Sequence, residues 1–178
     1  SHPHLVLGAG KSGTIYVVDR DRMGRFVEGG NDRQIVQVIR GAISENYATP
    51  AYWNGHVYFG SLNDSLKSFS VANGRLSDAA VSKSAGIFGY PGSSPSVSAD
   101  DTRNGIVWAL QNDDHYRGGP AVLHAYDATD LSRELYNSSA AGTRDVAGPA
   151  VKFTSPTIAN GKVYLGTQNS VDVYGLLD

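Results

Sequence analysis

Short runs rich in β-branched and aromatic residues recur along the chain, separated by Gly, Asn, Asp and Ser. Runs of this kind read as strands bounded by turns. Residues 4–8 and 14–19 predict a first pair, and residues 34–39 a third strand after a charged, Gly-rich loop over 20–33. From residue 49 a fixed order sets in. A short strand opens with Pro50, meets Asn54-Gly55, and is followed by His56-Val57-Tyr58-Phe59, which ends in Gly60. A polar turn at 62–65 leads to a third strand at 66–71. The turn Ala72-Asn73-Gly74 then leads to a fourth, from Arg75 to about Ser82. Asn-Gly is favoured at such turns because both central residues of a type I′ hairpin need φ > 0.

The order returns after Pro95, with Asn104-Gly105 as its turn, a strand at 106–110 and an expanded polar segment at 111–120. Strands at 121–126 and 132–136 flank a turn at 127–130. It returns again after Pro156, with Asn160-Gly161, and stops after a third strand. The three prolines are 45 and 61 residues apart. Four short strands per unit at a period near 45 residues is the size of a propeller blade. A lone four-stranded sheet cannot bury both faces, so such units must stack.

The expected fold is therefore all-β: a partial β-propeller of about three and a half to four four-stranded antiparallel blades. One domain spans 1–178, with blades at about 4–40, 49–83, 94–137 and 153–178. The first blade lacks its first strand and the last lacks its fourth. Even small propellers have about four complete blades. We expect the C-terminal part of a longer propeller, or a chain whose ring is completed by self-association. Ser1 in place of Met fits a processed or cut chain.

Composition narrows the function classes. Among 178 residues, 18% are charged, with a formal net charge of −2. That balance carries no electrostatic footprint for nucleic acid or an anionic membrane. No run is long enough to span a membrane as a helix. The chain has no cysteine, which removes disulfides, thiolate metal sites and cysteine nucleophiles.

Candidate chemistry is sparse. Gly8-Ala9-Gly10-Lys11-Ser12-Gly13 matches a dinucleotide-binding fingerprint letter for letter. That motif needs a helix next, to hold a pyrophosphate at its N-terminus. Thr14 to Val18 is a strand pattern, so the glycines read as a turn between antiparallel strands. The most polar insertion, Asp113-Asp114-His115-Tyr116-Arg117, is the candidate for a metal or sugar site at a channel mouth, because loops on rigid scaffolds carry sites. Its alternative is a solvated loop, favoured because two adjacent Asp and a His lack a defined ligand spacing. Trp53, Trp108 and the tyrosines at 52, 58, 126, 136 and 164 could stack on sugars, but at strand spacing they read as core between blades. His56 and His124 read as packed within strands. Asp127 reads as the side-chain cap of its turn.

Three segments carry a family resemblance. Residues 160–167 (Asn-Gly-Lys-Val-Tyr-Leu-Gly-Thr), 125–131 (Ala-Tyr-Asp-Ala-Thr-Asp-Leu) and 13–20 (Gly-Thr-Ile-Tyr-Val-Val-Asp-Arg) resemble the repeats of bacterial quinoprotein-like propellers, the pyrroloquinoline-quinone (PQQ) repeat superfamily. The likeness covers nearly the whole chain, with gaps at 84–93 and 138–150. The family's docking motif, Ala-x-Asp-x-x-x-Gly followed by Trp, keeps Ala125 and Asp127. Leu131 replaces its Gly, and Tyr136 stands roughly where Trp would. Near 69–74, Gly74 is kept and the Asp is missing. The vicinal cysteines of PQQ alcohol dehydrogenases are absent, and their calcium ligands and catalytic Asp find no matching motif. The resemblance thus implies a propeller segment acting as a structural, interaction or ligand-binding module. One alternative is a fragment of a PQQ-dependent alcohol or sugar dehydrogenase using PQQ and Ca²⁺. A second is a carbohydrate-binding propeller. The expected partners are a second copy or the missing propeller half, and a carbohydrate or small-molecule ligand. By family likeness the location is periplasmic or extracellular.

Overall fold

In a computed structural model the described residues are 2–26, 28–29 and 34–176. Residue 27 and residues 30–33 of the expected loop, and residues 177–178 at the chain end, lie outside them. Among the described residues fifteen strands carry the fold: β1 (Leu5–Ala9), β2 (Ile15–Asp19), β3 (Ile35–Ile39), β4 (Ala51–Trp53), β5 (His56–Gly60), β6 (Asp64–Ala72), β7 (Arg75–Leu76), β8 (Ser82–Phe88), β9 (Ser96–Asp100), β10 (Arg103–Gln111), β11 (Val122–Asp127), β12 (Asp130–Asn137), β13 (Thr157–Ala159), β14 (Lys162–Gly166) and β15 (Val171–Tyr174). The only helical element among these residues is a single 3₁₀ turn, Arg20–Arg22.

The described strands form four antiparallel sheets in chain order, and no closed barrel. The first is β1-β2-β3. The second is β4-β5-β6-β7, with β8 also on β6. The third is β9-β10-β11-β12, and the fourth β13-β14-β15. The first and fourth sheets have three strands each among the described residues.

Each sheet packs on the next in sequence. Ile15, Val17 and Ile39 of the first sheet meet Val57, Phe59, Phe69 and Leu76 of the second. Tyr58, Leu66 and Phe88 of the second meet Val107, Ala109, Tyr126 and Leu131 of the third. Leu110 and Leu123 of the third meet Val163 and Leu165 of the fourth. Because side chains alternate across a strand, β5 sends Val57 and Phe59 one way and Tyr58 the other. Inner strands such as β5 and β11 are accordingly buried almost throughout, whereas β1, β2 and β15 alternate.

Directional bonds supplement these apolar contacts. Gln37, buried on β3, donates from Nε2 to the Leu76 carbonyl at 2.9 Å and accepts from the Leu76 N–H at Oε1, also at 2.9 Å. Its amide thus pairs with β7 as a peptide group would. The Tyr58 hydroxyl donates to the Ala128 carbonyl at 2.8 Å, tying the second sheet to the third. Asp145, in the connection after β12, accepts from the Tyr136 hydroxyl at 2.7 Å and from both Nε and Nη2 of Arg144. The Asp145 carbonyl takes the Tyr174 hydroxyl at 2.9 Å. One residue of that connection therefore clasps the third sheet to the fourth.

The structure differs from two of the sequence expectations. The second unit's expected fourth strand runs from Arg75 to about Ser82 and ends the unit near 83. Regular pairing there lasts only two residues, and the longer strand is β8, running to Phe88. Leu131 and Phe88 pack in the same cluster, and Ser82 Oγ accepts from the Leu131 N–H at 2.7 Å, so the third sheet helps hold β8. Asn104-Gly105, expected as a hairpin turn, lies inside β10 at a bulge. The turn sits at 101–102, where Asp101 takes the left-handed conformation (φ 54°). The other three Asn-Gly pairs do have φ > 0 at both residues. Gly105 serves another purpose. A Cβ there would stand 2.6 Å from the Trp53 ring and 2.9 Å from the Ala128 Cβ. The Gly8-to-Gly13 segment forms the expected tight turn between β1 and β2, closed by Gly13 N–H donating to Gly10 O at 3.0 Å.

Gly105→Ala forces the Trp53 ring to move and costs about 1–3 kcal/mol of stability. It is read as a lower urea midpoint with a shifted tryptophan emission. Asp145 is held down at about 2, first by the Arg144 hydrogen bonds and then by the Tyr136 hydroxyl. A carboxyl depressed on folding stabilises the fold above its unfolded value of about 3.9, and that gain is lost as pH falls through the folded value. Asp145→Asn is expected to lower the urea midpoint at pH 7, with the gap to the parent closing between about pH 4 and pH 2.

Candidate functional site

In an antiparallel meander, the turn after the second strand and the connection leaving the fourth emerge at the same end. Loops from all four sheets therefore meet at one end of the stack. Tyr47 lies in the connection from β3 to β4, Tyr90 in that from β8 to β9, and Phe153 in that from β12 to β13. His115, Tyr116 and Arg117 lie between β10 and β11. The rings form a continuous ridge. Ring centroids are 5.6 Å apart for Tyr47 and Tyr90, 6.3 Å for Tyr90 and Phe153, 5.9 Å for Tyr90 and His115, and 5.3 Å for His115 and Tyr116. Tyr116 is 69% exposed and Phe153 57%.

Cations lie against this ridge. Lys11 Nζ is 5.4 Å from the Tyr47 ring centre, and the Arg117 guanidinium carbon is 5.2 Å from that of Tyr116. Lys152 Nζ is 6.0 Å from the Tyr90 centre and 5.9 Å from that of Phe153. Glu45 accepts from the Tyr47 hydroxyl at 2.9 Å, and that contact raises the Tyr47 pKa.

Phe153 adopts φ +67°. A bulky side chain is disfavoured there by about 1–2 kcal/mol. Residues held in such conformations cluster at binding and catalytic sites. Behind the ridge, the Asn112 Nδ2 approaches Thr154 Oγ1 at 3.5 Å. Its Oδ1 is, among the described residues, the one buried side-chain polar atom without a partner.

The polar loop divides between support and surface. Asp113 accepts from the Gly89 N–H at 2.8 Å and from Gln111, so it braces the connection that carries Tyr90. Asp114 lies 4.0 Å from Arg117, and its carbonyl accepts from the Arg117 and Gly119 N–H groups. His115 keeps Nδ1 2.9 Å from the Asn112 carbonyl and turns its ring toward Tyr90. His115, Tyr116 and Arg117 reach the ridge, while the two aspartates hold the loop. Sequence reasoning does not single out Tyr47, Tyr90, Lys152 or Phe153. The one signal for the three rings is their place in Gly- and Pro-bounded connections.

Elsewhere the groups are engaged in structure. Tyr58 and Tyr126 are buried in the second cluster, and Trp53, Trp108 and Tyr136 are partly buried in the second and third. Tyr52 is exposed, and its hydroxyl accepts from the Gly55 N–H. Asp127 accepts from both the N–H and the hydroxyl of Thr129, capping its turn, and these bonds lower its pKa. His56 stacks on Tyr58. His124 lies 2.6 Å from Glu134 and 3.2 Å from Gln111, stacked on Tyr126 with Phe88 at its edge. An open cleft of about 530 Å³ lies between residues 40–42 and 78–83. Its Lys67 is already bonded to Asp64 and the Ala42 carbonyl. No group of three or more His, Asp or Glu converges on one point among the described residues. No helix among the described residues is long and apolar enough to cross a membrane.

No family model and no curated protein matches the chain. The solved structures that the chain resembles include two computationally designed proteins. The computationally designed Ika8 protein is 17% identical with a TM-score of 0.63, over 97% of this chain and 43% of Ika8. The computationally designed Ika4 protein is 16% identical with a TM-score of 0.60, over 97% of this chain and 85% of Ika4. The chain thus spans less than half the length of Ika8. At these identities the likeness concerns the fold alone.

Because the Phe153 backbone is left-handed, Phe153→Gly is expected to be more stable than Phe153→Ala by about 1–2 kcal/mol. Both lose the same ring, so comparing their urea midpoints isolates the backbone term. Equal midpoints would show that the backbone there is unstrained.

Proposed function

We propose that the chain is a non-catalytic segment of a β-propeller, a structural and ligand-binding module of an exported bacterial protein, whose ring is completed by further sheets on its two open ends. The end faces carry this reading. The inner sheets bury both faces, and each end sheet buries one. On the first sheet, Val6 and Tyr16 point away from the stack and are exposed. On the fourth, Val171 is 65% and Val173 51% exposed, on the face opposite Val163 and Leu165. Exposed apolar sheet faces with unpaired edges favour association. The strand order supports the same reading: meander sheets follow one another in chain order, each packed on its predecessor. His124, Glu134, Asp113 and Asp127 are taken up in hydrogen bonds within the fold, which favours a scaffold over an enzyme.

In isolation a second copy supplies the missing sheets. The first-sheet face of one copy covers the fourth-sheet face of the other. Light scattering is expected to give about twice the monomer mass, as in a closed two-fold pair. Val171→Lys with Val173→Lys is expected to return the protein to a monomer of unchanged circular dichroism. A sharp monomer mass for the parent chain would count against ring completion by self-association.

A further inference from the structure

We propose that the ridge of Tyr47, Tyr90, Tyr116 and Phe153, with Lys11, Arg117 and Lys152 against it, is a binding site for an acidic polysaccharide, a glycan chain bearing uronate carboxylates. The site is independent of whether the ring closes, since all of its residues lie in the loops of this chain.

The rings come from separate connections and meet edge to face, with Tyr116 linked to Tyr90 through the tilted His115 ring, so an extended ligand can cross from one to the next. Tyr90, Tyr116 and Phe153 are exposed and Tyr47 is half-buried. Pyranose rings present C–H faces that lie on aromatic rings, and each step along the ridge is comparable with one sugar residue. The cations are available: Lys11 and Lys152 form no ion pair among the described residues, and Arg117 has only a 4.0 Å approach to Asp114. A neutral glycan would use the rings and leave these cations unmatched, whereas a uronate pairs with them. The Phe153 ring stays largely in solvent while its backbone is left-handed, so core packing does not explain a phenylalanine at that position. Single-stranded nucleic acid also combines stacking with anionic groups. The net charge of −2 disfavours it.

The test is calorimetry on the whole chain with hexamers of galacturonate, mannuronate and hyaluronan, beside cellohexaose and oligo-dT. Binding of at least one uronate hexamer is expected, with cellohexaose weaker by about tenfold or more. Tyr90→Ala and Tyr116→Ala should each weaken that binding by about tenfold. Lys152→Gln should weaken it and reduce its salt dependence. Tyr116 is exposed, so its variant is expected to keep the parent melting curve, which distinguishes removal of the ring from unfolding. Binding of none of the uronates, equal binding of cellohexaose, tighter binding of oligo-dT, or uronate binding unchanged in Tyr116→Ala and Lys152→Gln would each overturn the proposal.

Discussion

A sheet of three to five strands has two faces, and neither can be covered by the sheet itself. That constraint organises this protein. Apolar burial contributes about 25 cal/mol per Å² removed from water, and here it is obtained only where one sheet lies on the next. Val57 and Phe59 look back to the first sheet while Tyr58, between them, looks forward to the third. The second sheet therefore loses half its core if either neighbour is removed. Stability in such a stack is a property of interfaces more than of individual sheets.

The same arrangement separates support from surface. Residues along the inner strands are mostly used in packing or in closing hydrogen bonds, as His124 is between Glu134 and Gln111. Side chains in the connections are released from that duty. At the end where connections from all four sheets emerge, rings and cations gather. Asp113 shows the division within a single loop: it braces the backbone near Tyr90, while Tyr116, three residues on, stands in solvent. A rigid scaffold that leaves its loops free to vary works in this way.

Local signals predict much of the fold. Three Asn-Gly pairs form the turns they suggest, and the short opening strands follow their prolines. The signal fails where tertiary contacts override local preference. Asp101 takes the turn from Asn104, and Trp53 takes the space over Gly105. Ser82–Phe88 reads Ser-Lys-Ser-Ala-Gly-Ile-Phe, with little strand propensity, yet it pairs with β6 and packs against the third sheet. The segment at 138–150 looks like a polar linker because its Ala147 and Ala150 are small, although they are buried in the third cluster, and Asp145 is recognised only through Tyr136 and Tyr174. The ridge is hidden for a related reason. Residues 47, 90, 116 and 153 share no sequence window, and only the stacking of sheets brings their rings together.

Gln37 has an effect beyond the two bonds it makes. Apolar burial is non-directional and fixes an offset only through the shape of the interdigitating side chains. A side-chain amide that both donates to and accepts from Leu76 permits one offset only. It acts as a key between the first two sheets, as the Tyr58 hydroxyl does between the second and third, and Asp145 between the third and fourth. Three such keys add direction to contacts that have none of their own. The spacing of groups at the loop end is thereby set by bonds made between the sheets rather than within the loops.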